Sequence, residues 1–152
     1  MLNISISQFK KNHRSKRNQV LFHTIKSDGI KETENLINNF LVEKNSFIFE
    51  SVEKGKIKGR YTILGRDPDY IWEFYGNNCK QIANNKTKIL KKSPKKIIDQ
   101  IIENFKFEIP AELPNISSII SGFFSYDIIR YIEKIPNRCR DDLNIPDVRL
   151  IR

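Results

Sequence analysis

The sequence predicts an α+β fold, in which antiparallel strands form a sheet and at least two helices pack on it. Two segments carry apolar residues at a period near 3.6, which is typical of amphipathic helices. Between them lie short segments rich in Ile, Phe and Tyr, bounded by Gly, Asn, Asp or Pro, which is typical of strands and turns. With 152 residues the chain has the length of one domain. We therefore treat residues 1–152 as a single predicted domain.

The N-terminal segment, to about residue 28, opens with a basic stretch and continues with a short apolar run. The basic stretch Lys10–Arg17 is most often a solvated face or a mobile arm, with phosphate contact as the alternative. The short apolar run Val20–Phe22 predicts an edge strand. A helix is predicted over 31–44, because its apolar residues fall on one stripe. These residues are Leu36, Ile37, Phe40 and Leu41.

Two strands, Ser46–Val52 and Gly59–Gly65, are predicted to pair as an antiparallel hairpin. The first strand begins with apolar residues on both faces, which predicts that its start is buried from both sides. If the hairpin closes on the glycine that opens the second strand, Ser51 lies opposite Arg60 and Glu50 lies opposite the following tyrosine. A slip of one residue in this register would turn the side chains to the other face.

The remaining sequence predicts four strands and two helices. Ser93 followed by proline is a typical helix start, with serine as N-cap and proline in the first turn. In that helix Ile97, Ile98, Ile101, Ile102 and Phe105 form the predicted buried stripe. The predicted elements are strands Tyr70–Tyr75 and Cys79–Ala83, the helix to about Phe105, a central strand Ile119–Phe124, a short helix Asp127–Glu133 and a last strand Val148–Ile151.

The charge of the chain points at first toward nucleic acid. There are 27 Lys and Arg against 18 Asp and Glu, a net charge of +9. However, 25 Ile, 18 Lys and 15 Asn indicate a composition biased toward AT-rich codons, which raises lysine in any protein. The segment Ser121–Tyr126 matches the RNA-recognition motif only at Gly122 and Phe123. We predict no nucleic-acid partner and keep a basic RNA-binding module as the less favoured alternative.

The usual catalytic and metal-binding signatures are absent from the sequence. His13 and His23 have no third ligand or nucleophile at a useful spacing. Cys79 and Cys139 stand alone, which predicts inert thiols in a reducing compartment. No apolar run approaches the roughly 20 residues of a membrane span, and the start lacks the apolar core of a signal peptide. The sequence therefore predicts a cytoplasmic protein with no membrane partner, no metal site and no catalytic residue.

Two blocks of the sequence resemble component I of anthranilate synthase, a chorismate-using enzyme family. In the N-terminal domain of that family a strand ending in Leu-Glu-Ser is followed by Gly-Arg-Tyr-Ser, which Phe47–Glu53 and Gly59–Gly65 resemble. The family also shows Gly-Tyr-x-x-Tyr-Asp-x-x-Arg-x-x-Glu, which Gly122–Glu133 resembles with Phe123 in place of the tyrosine. The second block continues with Ile135-Pro136, Asp141-Asp142-Leu143 and Pro146-Asp147.

The resemblance implies an activity for the full-length family member but not for this chain. That enzyme converts chorismate to anthranilate and pyruvate with Mg²⁺, using ammonia from a glutamine amidotransferase partner, component II. The family's magnesium and chorismate sites lie in a C-terminal chorismate-binding domain, which would begin beyond Arg152. We therefore expect this chain to be a truncated N-terminal regulatory domain, without a cofactor or catalytic residue of its own and inactive alone.

The resemblance also implies part of a feedback site for L-tryptophan at Glu50, Ser51 and Arg60. Glu50 could balance the ammonium group, Arg60 could hold the carboxylate, and Ser51 could offer a hydroxyl hydrogen bond. Because side chains alternate along a strand, a regular hairpin does not place Glu50 on the face of Ser51. Either a bulge turns one of them, or Glu50 contributes through its backbone. The structural alternative is that Ser51 and Arg60 are only a cross-strand pair.

In the second block, ion-pair and packing roles are predicted for Tyr126, Asp127, Arg130 and Glu133, since Asp127 and Arg130 lie three apart on one helix face. The closest rival assignment is the matching domain of aminodeoxychorismate synthase component I, from the folate pathway, in which bound tryptophan would be structural. The second block favours anthranilate synthase over this rival.

Overall fold

The structure is a computed structural model that describes residues 2–26, 30–53, 57–136, 138 and 140–152. Cys139 therefore lies outside the described residues. The chain divides into two compact units. The larger comprises the residues up to Thr24 together with Tyr70–Arg152, and the smaller comprises Ile25–Asp69.

Helices and antiparallel sheets are both present, which confirms the α+β prediction. The α-helices are α1 (Ile6–Arg14), α2 (Ile30–Phe40) and α3 (Pro94–Asn104). The strands are β1 (Phe47–Glu53), β2 (Ile57–Gly65), β3 (Tyr70–Tyr75), β4 (Asn78–Ala83), β5 (Lys86–Leu90), β6 (Ser121–Phe124) and β7 (Val148–Ile151). Short 3-10 helices span Asn115–Ser117 and Tyr126–Tyr131.

The larger unit contains a five-stranded antiparallel sheet in the order β5-β4-β3-β7-β6. Every second residue of its central strands points toward α3, since side chains alternate across a strand. These residues meet the apolar stripe of α3, of which Ile97 and Ile101 are buried. The resulting core consists of Trp72, Phe74, Cys79, Ile97, Ile101, Val148 and Leu150. Ile102, also predicted on this stripe, is exposed.

Most of the basic stretch Lys10–Arg17 lies in α1, a helix that was not predicted, and its Lys and Arg residues are exposed, as expected of a solvated face. Ser5 is the N-cap, and its hydroxyl accepts a hydrogen bond from the backbone N–H of Gln8 at 3.2 Å. Lys11 and Arg14 fall in the last turn, where the helix dipole favours cations. The apolar run Val20–Phe22 forms no strand.

Four other segments differ from the predicted elements. α2 ends at Phe40 rather than at residue 44, so Leu41 lies beyond the helix and is exposed. The segment Lys86–Leu90, for which no strand was predicted, is the strand β5. A 3-10 helix over Tyr126–Tyr131 replaces the α-helix predicted from residue 127 to 133. Most consequential for function, β6 lies at an edge of the sheet rather than at its centre.

Cys79 makes the larger unit sensitive to alkaline pH. Its side chain, on β4, is fully buried in the core of this unit, and this burial raises the pKa of the thiol to about 12. The unfolded chain loses the thiol proton near pH 9, so stability is full below that pH and falls as the pH rises toward 12. We expect the free energy of unfolding to fall by about 2 kcal/mol between pH 8 and 10.5 through this group alone.

Urea unfolding at several pH values measures this loss, and Cys79→Ala is the control. The alanine variant is less stable at every pH because it leaves a cavity, but its free energy should fall less steeply above pH 9. Equal slopes in the two proteins would show that the thiol is not protected by burial.

Candidate functional site

The smaller unit consists of the helix α2 followed by a two-stranded antiparallel sheet of β1 and β2. The first block lies in this sheet. The Arg66 guanidinium, just after β2, lies 4.8 Å from the centre of the Phe40 ring at the end of α2. The Phe47 ring packs over Gly65, where a Cβ atom would overlap it. The glycine that closes the first block is therefore required by this close approach.

The hairpin register differs from the predicted one. Glu50 pairs with Thr62 rather than with Tyr61, and Val52 pairs with Lys58. Between these two pairs the ladder is irregular, since β1 contributes the single residue Ser51 and β2 contributes Gly59–Tyr61. The extra residues lie on β2, so the predicted pair of Ser51 with Arg60 is replaced by a bulge. Bulges re-aim side chains and are frequent beside functional sites.

The three predicted site residues all lie in or beside this irregular segment. Glu50 and Ser51 are both exposed on β1. The backbone of Arg60 lies in the stretch of β2 opposite Ser51, whereas its side chain is outside what the structure describes. The irregular ladder lies beside Ser51, and its extra residues belong to β2 rather than to the strand of Glu50 and Ser51.

The start of β1 is less buried than predicted. Phe47 and Ile48 are half-buried, while Phe49 is 44% exposed. The prediction of burial from both sides was therefore wrong for the chain as described. The sheet of this unit has only two strands, which cannot enclose an apolar segment on both faces.

The second block is organised around Asp147, to which the sequence analysis assigned no role beyond its place in that block. One carboxylate oxygen, Oδ2, accepts the backbone N–H of Gly76 at 2.8 Å and the Tyr131 hydroxyl at 2.7 Å. The Asp147 carbonyl accepts the N–H of Ser125 at 2.8 Å, and its own N–H donates to the Phe74 carbonyl at 2.8 Å. Burial and the hydrogen bond to Asp147 raise the pKa of Tyr131, so its hydroxyl stays protonated as a donor.

The predicted ion pair of the second block is confirmed. Arg130 donates from Nε to Asp127 Oδ1 at 2.8 Å and from Nη1 to the carbonyls of Ile135 at 3.0 Å and Pro136 at 3.3 Å. Arg130 thereby holds the chain that leaves the 3-10 helix. The predicted packing role of Tyr126 was wrong, because its side chain is 93% exposed. It lies at the first residue of the 3-10 helix and points away from the core.

Among the described residues, no cluster of three or more His, Cys, Asp or Glu could hold a metal ion. Within the same residues, every helix is too short or too polar to cross a membrane. Asp141, in the Asp-Asp pair of the second block, accepts the backbone N–H of Asn144 at 3.0 Å, as is typical of aspartate in turns.

Comparison with known proteins finds relatives that share one name, anthranilate synthase component 1 or alpha subunit. Anthranilate synthase component 1 of Cereibacter sphaeroides is 28% identical over 97% of this chain and 31% of that protein. Component 1 of Acetivibrio thermocellus is 34% identical over 66% of the chain and 21% of its own length. The chloroplastic anthranilate synthase alpha subunit 2 of Arabidopsis thaliana is 33% identical over 98% of the chain and 27% of its own length.

No family model matches the chain. The chain spans less than a third of the length of each of these relatives. Two of the matches cover nearly all of the chain, so both the hairpin of the smaller unit and the Asp147 network of the larger unit fall within them. The chain is therefore a relative of anthranilate synthase component 1 and corresponds to one segment of that protein.

Proposed function

We propose that the chain is the N-terminal regulatory part of an anthranilate synthase component 1 in tryptophan biosynthesis, and that it contributes to a tryptophan feedback site. The observation that carries this proposal is the exposed Glu-Ser pair of the first block, which lies at the bulge in the hairpin. The relatives' shared name supports the pathway.

The chemistry of the bulge suits a free aromatic amino acid. Tryptophan carries an ammonium group, a carboxylate and an indole ring. The Glu50 carboxylate balances the ammonium group, and the Ser51 hydroxyl donates or accepts one hydrogen bond. Arg60 lies in the strand segment opposite and supplies a guanidinium for the carboxylate. The exposed Tyr61 of the same segment offers an aromatic surface to the indole.

The rest of the proposal concerns the whole component 1. A C-terminal chorismate-binding domain would hold chorismate and Mg²⁺, and a glutamine amidotransferase component II would supply ammonia. Tryptophan bound at Ser51 would then favour an inactive arrangement of that domain. Coupling of this kind is reciprocal, so chorismate would weaken tryptophan binding by the same factor. We place this function in the cytoplasm, although some plant relatives carry chloroplastic in their names.

Tryptophan should raise the melting temperature of the chain, and Ser51→Phe should abolish the rise. At a tryptophan concentration about ten times Kd, binding to the folded state alone adds about 1.4 kcal/mol, or roughly 3 to 6 °C. The phenylalanine ring fills the space beside the bulge and removes the hydroxyl. Differential scanning fluorimetry or calorimetry measures both effects.

Two ligand analogues test the assigned contacts of tryptophan, and one variant serves as the control for Ser51→Phe. Tryptamine lacks the carboxylate assigned to Arg60, and indole-3-propionate lacks the ammonium assigned to Glu50, so each should give a smaller shift than tryptophan. Thr87→Phe places the same ring at an exposed strand position of the larger unit and should leave the shift intact. A tryptophan shift that survives Ser51→Phe would contradict the site, and the absence of any shift would contradict tryptophan binding by this chain.

A further inference from the structure

The edge strand β6 has the composition of a strand that has neighbours on both sides. The segment Ile119–Phe124 carries no charged residue, which predicted a central strand. In the structure β6 pairs with β7 on one side, and no described strand pairs with its outer edge. Phe123 is 40% exposed and Phe124 is 57% exposed, and as adjacent strand residues they face opposite sides of the sheet.

The opposite edge of the same sheet, formed by β5, carries exposed charged residues. β5 has lysine at two of its five positions, Lys86 and Lys88, and both side chains are exposed. Charged residues, lysine above all, are a common means by which proteins keep an open strand edge from pairing with other chains. One sheet therefore has a protected edge at β5 and an apolar, uncharged edge at β6.

Further exposed apolar residues adjoin the β6 edge. Tyr126 follows β6 by two residues and is almost fully exposed. The hydrogen bond from the Ser125 N–H to the Asp147 carbonyl places the chain before β7 beside the end of β6. Ile145, in that chain, is also exposed. We call Phe123, Phe124, Tyr126 and Ile145 the β6 surface.

We propose that the β6 surface docks the polypeptide that the relatives carry outside the matched segment, and that a strand of that polypeptide continues the sheet at β6. This inference rests on the proposed function, in which the chain is one part of a longer component 1. More than two thirds of the Cereibacter sphaeroides relative, which matches 97% of this chain, lies outside that match. Polypeptide of that length, present in a relative whose match covers nearly all of this chain, is the occupant that we assign to the edge.

The docked strand must meet a short and uncharged edge. β6 has four residues, so main-chain hydrogen bonds to it are few, and the aromatic side chains on the two faces must supply much of the contact. We expect the partner strand to be apolar on both faces. A lysine at position 124 would place a charge in this contact without disturbing the core of the larger unit, because Phe124 is not one of the buried residues.

The test compares Phe124→Lys with the matched control Ile89→Lys, an exposed apolar residue in the opposite edge strand. Each is introduced into the 152-residue chain and into a chimera in which the chain replaces the matched segment of the Cereibacter sphaeroides relative. In the chain alone, both variants should melt within about 2 °C of the parent, because surface substitutions have small effects. In the chimera, Phe124→Lys should lower the melting temperature by about 4 °C or more, and Ile89→Lys should not.

If the chimera does not accumulate, the chain is co-expressed with the remaining part of the same relative and captured by an affinity tag. Phe124→Lys should then reduce the recovered partner about tenfold, and Ile89→Lys should leave it unchanged. Equal behaviour of the two variants, or no recovered partner from the parent chain, would overturn the proposal. Self-association of the chain that Phe124→Lys abolishes would also overturn it, in favour of a second copy as the occupant.

The tryptophan experiment separates this inference from the proposed function. Its substitution, Ser51→Phe, lies in the smaller unit, and the lysine variants lie in the larger one. A chain that binds tryptophan at Ser51 but shows no specific effect of Phe124→Lys retains the proposed function and loses only the docking surface. A chain without a tryptophan shift but with a specific Phe124→Lys effect loses the feedback site and keeps the docking surface.

Discussion

Replacing Gly122 with alanine is expected to lower the free energy of unfolding by about 3 kcal/mol. β6 lies so close to β7 at this residue that a Cβ atom would overlap the backbone carbonyl oxygen of Arg149. A backbone atom cannot rotate away as a side chain can, so β6 must move and weaken its pairing with β7. The glycine that opens the second block is thus explained by this close approach.

Thermal unfolding checks this prediction, with a fall in melting temperature of about 6 to 12 °C. Gly76→Asn is the matched control, because Gly76 has a φ of +56° and no atom near the position of an added Cβ. Asparagine tolerates that conformation better than other residues do, so we expect a loss below about 0.5 kcal/mol. A Gly122→Ala protein that melts with the parent would contradict the β6–β7 pairing on which the β6 surface depends.

Removing the Asp147 carboxylate is expected to cost a similar amount, about 3 kcal/mol for Asp147→Ala. The substitution leaves the Gly76 N–H and the Tyr131 hydroxyl without their shared acceptor. It thereby releases both the β3–β4 turn and the 3-10 helix that follows β6. Asp147→Asn keeps an acceptor oxygen, so it should lose less stability than Asp147→Ala. It should still be less stable than the parent, because hydrogen bonds to a charged acceptor are stronger than those to a neutral one.

Urea unfolding of the parent and three variants measures the effect. Asp142→Ala removes an exposed carboxylate five residues earlier and serves as the control for the change in net charge. We expect the order of stability to be parent and Asp142→Ala, then Asp147→Asn, then Asp147→Ala. An Asp147→Ala protein as stable as the Asp142→Ala protein would show that the Asp147 network contributes nothing to the fold.

Most of the regular structure was predictable where local signals and burial agree. α3 has a serine N-cap, a proline in its first turn and a stripe whose Ile97 and Ile101 are buried. β3 is rich in aromatic residues and became the middle strand of the larger sheet. At these positions intrinsic secondary-structure preference and tertiary packing favour the same residue types, so the sequence pattern was enough to predict the element.

Two elements that were not predicted, α1 and β5, are lysine-rich. Lys86 and Lys88 lie in β5 because their neighbours on β4 supply the pairing. α1 has no fully buried residue in the structure. For these segments the choice between coil, helix and strand is made by partners distant in sequence or by a cap, and not by apolar periodicity.

The candidate site was likewise predictable in part from the sequence. The residue types at Glu50, Ser51 and Arg60, and their order along two strands, were available from the sequence together with the resemblance to one enzyme family. The register was not, because the period of a strand is the same in every register. Only the paired strands show that three residues of β2 oppose the single residue Ser51.

The sequence by itself determined the α+β class and the relationship to anthranilate synthase component 1, and it supplied the predicted site residues Glu50, Ser51 and Arg60. The tertiary structure alone decided the bulge at Ser51, the network at Asp147 and the position of β6 at an open edge. Residue types and local patterns depend on neighbours in the chain. Register, shared acceptors and sheet edges depend on which distant segments meet, and that choice follows from the burial and hydrogen bonding of the whole unit.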